Sequence, residues 1–214
     1  MSNTVLRPAS KRVDDFLAKF DTVKPRIIFG VDATASRQPT WDSAAVQGEM
    51  FHAAAGLECQ LAYWLNYNEF RATQWFSDPK PLAEAMAKIT CVAGHTQIGK
   101  ALRHAAREHA AKPIAALILI SDSCEEEESA LYAAARKLPV PVFMFQEGRS
   151  ELVASIYARI AEVTGGALAQ FDSSSAAKLG ELLKAVAVFA EGGVKALEAQ
   201  GGAAARLLLE QIRK

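Results

Sequence analysis

Short apolar runs alternate along this chain with segments in which apolar residues recur at helical spacing. The runs at 26–31, 114–120, 140–145 and 167–171 are rich in aliphatic and aromatic residues and predict buried strands. Helices are predicted around them at 40–55, at 79–89, from the 94–99 segment to 111, at 125–137 and at 150–163. This alternation predicts right-handed βαβ units, and hence a Rossmann-like three-layer α/β/α fold with a mostly parallel central sheet.

Two aromatic-rich segments, 58–67 and 70–76, interrupt this alternation. Both show partial period-two patterning, and the Asn66–Asn68 region between them can form a turn. They predict a hairpin, which adds one antiparallel strand at an edge of the otherwise parallel sheet.

Helical periodicity also marks both ends of the chain. Residues 8–20 predict a short amphipathic helix, and the Ala-rich stretch 174–214 predicts long helices interrupted at Gly192-Gly193 and Gly201-Gly202. The predicted organisation is an N-terminal helical extension at 1–24, a central domain at 25–190, and a C-terminal helical extension at 191–214 that packs on the domain or extends from it.

Composition narrows the classes of partner and compartment. Lys plus Arg and Asp plus Glu are both 24, so the formal net charge is zero and neither nucleic acid nor an anionic membrane is the expected partner. The three cysteines are scattered without a C-x-x-C pair, which disfavours a disulfide framework or a zinc site. Residues 1–10 lack the apolar run of a secretory signal, and no apolar window is long enough for a membrane span. We therefore expect a cytoplasmic protein.

Polar clusters occur where predicted strands give way to helices. Asp32, Thr34 and Ser36 follow the first strand, Thr96 lies in the loop before a helix, and Asp122 follows the 114–120 strand. In an open α/β sheet, ligands bind in the crevice beyond the carboxyl ends of the strands. If the two strands are neighbours, these side chains meet at one rim of the sheet.

These five residues offer only oxygen ligands, namely two carboxylates and three hydroxyls. Mg²⁺ prefers such hard ligands, and a cation between the two carboxylates would cancel their repulsion. Hydroxyl ligands add no charge, so the cation would remain attractive to a further anionic ligand. We expect Mg²⁺ at this rim, with Mn²⁺ or Ca²⁺ as alternatives.

The same residues resemble the metal-ion-dependent adhesion site of von Willebrand factor type A domains, whose pattern is D-x-S-x-S followed by a distant Thr and a distant Asp. Here the pattern is D32-A-T34-A-S36, then Thr96 in GHTQIG, then Asp122 in LILISDS, and the resemblance covers roughly residues 25–190. It departs from the family at Thr34, which replaces Ser but keeps the hydroxyl, and at Ser123, which stands where Gly is common.

The resemblance implies roles for these residues. Thr34, Ser36 and Thr96 would supply hydroxyls to the metal, and Asp32 and Asp122 would bind it directly or through water. An exposed Asp or Glu of a partner protein would complete the coordination shell. His95 and Ser123, which neighbour the two later positions, are candidates for the rim of the partner site.

Three of these five residues, and several of their neighbours, also have a local structural explanation, whereas an unpaired Asp32 at the end of an apolar strand would be costly. Ser36, Thr96 and Asp122 can act as helix N-caps, and Glu125 to Glu128 can form a first helical turn that interacts well with the helix dipole. Trp41, Trp64 and Trp75 are expected to pack in or against the core. Cys124 has no basic neighbour in the sequence and is expected to be an inert thiol.

Two functions are compatible with this pattern. The first is a non-enzymatic, metal-dependent protein-binding module, because the chain lacks a catalytic triad pattern, a P-loop and a G-x-G-x-x-G motif. The alternative is a Mg²⁺-dependent phosphohydrolase, since D32-A-T34-A-S36 also resembles the motif of haloacid-dehalogenase-like phosphatases with Asp32 as nucleophile. Against the alternative, Thr34 stands where those enzymes carry a second Asp, and Lys100 is predicted within a helix. The oligomeric state is left open.

Overall fold

The central feature of the computed structural model is a six-stranded sheet flanked by helices. Residues 24–37, 48–49, 52–172 and 176–212 are described. The predicted helix at 8–20, Trp41 and most of the predicted helix at 40–55 lie outside the described residues.

The strands confirm the predicted architecture. Their order in the sheet is β3-β2-β1-β4-β5-β6, and every neighbouring pair is parallel except β2 and β3. The antiparallel strand β3 lies at one edge, as the hairpin predicted. The bounds are β1 Arg26–Asp32, β2 Glu58–Leu65, β3 Glu69–Ala72, β4 Ala116–Ser121, β5 Val142–Glu147 and β6 Ala167–Phe171.

Six helices follow the predicted pattern in the described residues, with shifted ends. They are α1 Pro79–Met86, α2 Ile98–Ala111, α3 Glu128–Arg136, α4 Glu151–Thr164, α5 Ala176–Gln200 and α6 Gly202–Ile212. Helix α3 begins three residues later than predicted because the Glu127 carboxylate caps it by accepting the N–H groups of Ser129 and Ala130. None of the helices in the described part of the chain has an apolar stretch long enough to cross a membrane.

The sheet is covered on both faces, and the alternation of side chains along its strands builds two apolar clusters. In β1, Ile27 and Phe29 belong to one cluster and Ile28 to the other. Trp64 is fully buried in the second cluster, and Trp75 packs against the same cluster, as expected. The three layers therefore follow from the period-two geometry of buried strands.

Helices α5 and α6 pack on this core, although Gly193 and Gly201 have positive φ and interrupt their course. Leu197 and Leu208 are fully buried in the same cluster as the strand residues. The Gln211 side chain accepts the N–H of Leu168 at 2.9 Å and donates to its carbonyl at 2.8 Å. It thus satisfies backbone groups on the outer edge of β6.

Candidate functional site

The sheet order brings two polar loops together. Strands β1 and β4 are parallel neighbours, with Val31 opposite Ile120, so their carboxyl ends lie at the same rim. We call residues 32–37 the β1 loop and residues 121–127 the β4 loop. This adjacency places Asp32 and Asp122 at one rim of the sheet, as predicted.

Asp32 is fully buried and held by hydrogen bonds from both loops. Its Oδ1 accepts the Thr34 N–H at 2.8 Å, and its Oδ2 accepts the Ser121 hydroxyl at 2.6 Å. Burial raises the pKa of Asp32, while the bonds from Ser121 and Thr34 oppose that rise. Sequence reasoning missed Ser121, although a polar residue that ends an apolar strand was an available signal.

Thr34 and Ser36 place two hydroxyl groups side by side. Their oxygens are 3.4 Å apart, with Thr34 buried and Ser36 exposed. The 3₁₀ turn Ala35–Arg37 holds them, because the Arg37 N–H donates to the Thr34 carbonyl at 2.9 Å. Adjacent oxygens around an octahedral Mg²⁺ are roughly 3 Å apart, so this spacing suits two ligands of one small cation.

Arg37 is a buried cation beside the site. Its guanidinium forms an ion pair with Glu147 at the end of β5. Burial lowers the pKa of Arg37, and the charges of Asp122 and Asp32 oppose that change, so both carboxylates lie within electrostatic reach. Sequence reasoning missed Arg37, because a long charged side chain after a polar motif is normally expected in solvent.

Thr96 is buried and bound to the β4 loop. Its N–H and its hydroxyl both donate to the Glu125 carboxylate, at 2.9 and 2.8 Å, and its hydroxyl accepts the Glu125 N–H at 3.2 Å. Burial acts to raise the pKa of Glu125, but the bonds from Thr96 and Ser123 lower it below its usual value. Thr96 therefore keeps one hydroxyl lone pair for a further ligand.

The acidic run Glu125 to Glu128 is divided between two elements, so its interpretation as one helical turn was wrong. Glu126 accepts the N–H groups of Ile98 and Gly99, the latter at 2.9 Å, at the start of α2. Glu127 and Glu128 belong to the start of α3. The first two glutamates thus join the β4 loop to residues 96–99.

The alternative explanation of Thr96 and Asp122 as helix N-caps was also wrong. The N-cap residue of α2 is Gln97, and that of α3 is Glu127. Ser36 lies in the 3₁₀ turn, and the start of the next helix lies outside the described residues.

Asp122 is half-buried at the more open side of the rim. The Ser123 hydroxyl donates to its Oδ1 at 3.2 Å, and the Tyr157 hydroxyl donates to the Ser123 carbonyl at 2.5 Å. These bonds orient the β4 loop around the carboxylate. Burial raises the pKa of Cys124 to about 11, so this thiol stays protonated at neutral pH.

The donor set contains few of the side chains that dominate most metal centres. Within the described residues, no group of three or more His, Cys, Asp or Glu is arranged to hold a metal ion. Two carboxylates and three hydroxyls would have to act together, which suits Mg²⁺ with retained waters. The donors that are present fit such an ion, and Arg37 has its own carboxylate partner in Glu147.

Comparison with known proteins identifies the fold. No protein-family model matches the sequence, and no curated protein is significantly similar to it. Solved structures do match, among them a von Willebrand factor type A protein from Catenulispora acidiphila, with a TM-score of 0.64 and 16% identity over 79% of this chain and 43% of that one. The chain thus spans less than half the length of that protein.

Two shorter domains match over nearly their whole length. The VWA domain of SpRpn10 gives a TM-score of 0.57 at 12% identity, over 74% of this chain and 95% of that domain. The vWF domain of the type V pili tip protein Mfa5 from Porphyromonas gingivalis gives 0.53 at 8% identity, over 77% of this chain and 96% of that domain.

Proposed function

From the premise that this chain has the von Willebrand factor type A fold, we propose that it is a non-enzymatic protein-binding module that presents Mg²⁺ to an acidic residue of a partner protein. The observation that carries the proposal is the pair of hydroxyls of Thr34 and Ser36, 3.4 Å apart, in the loop that begins with Asp32. The fold shared with a von Willebrand factor type A protein and with the VWA domain of SpRpn10 supports the proposal.

The proposed ligands are Asp32, Thr34, Ser36, Thr96 and Asp122. Hydroxyls contribute no charge, so a divalent cation on two carboxylates keeps its attraction for a third carboxylate from outside. The half-buried Asp122 and the exposed Ser36 lie on the accessible side of the rim, where a partner side chain would approach. When bound, the metal would supply the charge that an acidic partner residue recognises.

The phosphohydrolase alternative has less support. Thr34 would have to replace the usual acid–base Asp, and its N–H and hydroxyl are already directed at Asp32 and Ser36. Lys100, the lysine closest in sequence to Thr96, donates to the Asn68 carbonyl at 2.8 Å. Mg²⁺-dependent hydrolysis of an aryl phosphate that disappears in Asp32→Asn would establish the enzyme and overturn the binding module.

Titration calorimetry with MgCl₂ tests the metal site. We expect one binding event in the native chain, its loss in Asp122→Ala, and its retention in Asp172→Ala, an exposed residue just after β6 on the same rim. Asp122 is preferred to Asp32 as the tested position, because Asp32 also accepts the Ser121 hydroxyl bond that joins the two loops. Absence of Mg²⁺ binding in the native chain would refute the metal-dependent function.

A further inference from the structure

Exposed apolar side chains are concentrated at the rim that carries the candidate site. Within the described residues, the large apolar side chains with high exposure are Tyr67 at 71%, Leu152 at 66% and Val92 at 38%. Tyr67 lies in the turn after β2, and Leu152 lies in the first turn of α4, after β5. Val92 lies beside the β1 loop, because its N–H donates to the Ala33 carbonyl at 3.0 Å.

The sheet order places these residues around the site. Strands β1 and β4 lie between β2 and β5, so Tyr67 and Leu152 flank the two polar loops on opposite sides. Neighbouring strands are about 4.8 Å apart, so β2 and β5 are separated by roughly 14 Å. Leu152 therefore lies on the far side of the two polar loops from Tyr67.

Tyr67 packs against His95, in a neighbouring loop that is hydrogen-bonded to the turn. Its ring makes an edge contact with the ring of His95, with centroids 4.9 Å apart and planes at 77°. The backbone N–H of His95 donates to the Asn66 carbonyl at 3.2 Å, and Asn66 has a left-handed backbone with φ of 55°. A Cβ on Gly94 would overlap the backbone of Asn66, so only glycine permits this close approach of the two loops.

Further hydrogen bonds hold the turn from its other side. The Gln97 amide donates to the carbonyls of Leu65 and Glu69, at 3.3 and 3.2 Å. The Lys100 ammonium donates to the Asn68 carbonyl at 2.8 Å, and the Asn66 amide donates to Glu69 at 2.7 Å. An exposed tyrosine on a fixed turn loses little conformational freedom when a partner covers it, and tyrosine is enriched among residues that dominate interface energies.

We propose that Tyr67, His95 and Val92 form an apolar ledge that binds an aromatic or large aliphatic side chain next to the partner's acidic residue. This inference rests on the proposed cation-dependent function and adds the residues that decide which acidic segments bind. His95 directly precedes Thr96, and consecutive Cα atoms are about 3.8 Å apart, so the ledge lies next to the proposed cation site. The occupant is therefore a protein segment in which Asp or Glu neighbours a large apolar residue.

Selection from a phage-displayed library of random peptides tests the ledge, with the full chain as bait in MgCl₂. The native chain is expected to enrich peptides that pair Asp or Glu with an adjacent aromatic or large aliphatic residue. Tyr67→Ser is expected to keep the acidic preference and lose the apolar one. Leu152→Ser, a similarly exposed apolar position away from the ledge, is the matched control and should keep both preferences.

Affinity for one enriched peptide gives the quantitative readout. Tyr67→Ser should weaken binding roughly tenfold or more, Tyr67→Phe should bind like the native chain, and Mg²⁺ affinity and the thermal midpoint should be the same in all three. Equal peptide preferences and affinities in the native chain and Tyr67→Ser would overturn the ledge and leave the metal site standing. Enrichment by the native chain of apolar peptides without Asp or Glu would instead overturn the cation-dependent function.

Discussion

The β1 loop and the β4 loop end neighbouring parallel strands, yet they meet solvent differently. The β1 loop turns inward, with Asp32, Thr34 and Arg37 all buried. The β4 loop stays open, with Asp122 half-buried and Glu125 exposed. A polar loop can therefore be part of the folded core or lie at its surface, even when both loops contribute to one candidate site.

The two loops are also attached to the rest of the fold by different forces. The β1 loop is held to β5 by the buried ion pair of Arg37 and Glu147. The β4 loop is held to residues 96–99 by hydrogen bonds to Glu125 and Glu126, which are more accessible. Substitutions in the β1 loop should thus change stability and ligand binding together, whereas those in the β4 loop should separate the two.

The largest expected effect is that of Glu147→Gln, which removes the carboxylate paired with the buried Arg37 guanidinium. We expect a loss of about 3–5 kcal/mol in the free energy of unfolding, measured by urea denaturation. The control is Glu162→Gln, which breaks the exposed pair with Arg159 and should cost about 0–1 kcal/mol. Similar losses in the two variants would show that the β1 loop is not held by a buried ion pair.

The second largest effect is the change in the free energy of unfolding when Mg²⁺ is added, compared with the same chain in EDTA, which removes Mg²⁺. At a Mg²⁺ concentration about 100 times its Kd, the native chain should gain about 2.7 kcal/mol, and both Asp32→Asn and Asp122→Asn should lose that gain. The variants should differ in EDTA, where Asp122→Asn stays within about 0.5 kcal/mol of the native chain. Asp32→Asn keeps one side-chain oxygen that accepts the Thr34 N–H but loses the oxygen that accepts the Ser121 hydroxyl, so it should lose about 1–3 kcal/mol in EDTA.

Thermal unfolding in EDTA and in MgCl₂ measures both parts of this comparison. A loss of stability in EDTA for Asp32→Asn as large as that expected for Glu147→Gln would mean that the Asp32 charge itself holds the β1 loop. A retained Mg²⁺ response in either variant would remove that residue from the ligand set.

A smaller effect is expected for Thr96→Val, which removes the hydroxyl that donates to Glu125. The loss should be about 1 kcal/mol in urea denaturation in EDTA, and Thr96→Ser should restore it. Equal stability of the valine and serine variants would show that the hydroxyl bond does not hold the β4 loop.

The smallest effect is a change in acid sensitivity. The pKa of Glu125 is lowered in the folded chain: burial opposes the shift, but the bonds from Thr96 and Ser123 outweigh it. Its contribution to stability is therefore present above its ordinary pKa of about 4.5 and is lost as the pH falls through the lowered folded value. Unfolding midpoints measured at a series of acidic pH values should fall less steeply in Thr96→Val than in Thr96→Ser, and identical slopes would contradict this assignment.

Much of the fold was predictable because its signals are local. A strand buried on both faces is apolar at nearly every position, so the apolar segments that form β1, β4 and β5 were recognisable without knowledge of the neighbouring strands. The β4 strand was nevertheless predicted to end at Ile120, whereas the sheet continues to Ser121, which pairs with Gln146. Hydrogen bonds between strands extend the ladder beyond the apolar run, and a single segment does not encode them.

The site was predictable only in part. The order of polar residues at strand ends pointed to Asp32 and Asp122, and adjacent strands bring them to one rim. The bond between Ser121 and Asp32 spans 89 positions of sequence, and that between Thr96 and Glu125 spans 29. Pairings over such distances leave no local pattern, and the helical interpretation of Glu125 was wrong for that reason.

The sequence by itself thus determined which segments form buried strands, that polar residues follow β1 and β4, and the hairpin that carries Tyr67. Only the tertiary structure decided that Arg37 is buried against Glu147 and that Glu125 binds Thr96. The same holds for the edge contact between the rings of Tyr67 and His95. The physical reason is that burial of a strand follows from its own side chains. The environment of a rim residue is set instead by whichever distant loops the sheet order places beside it.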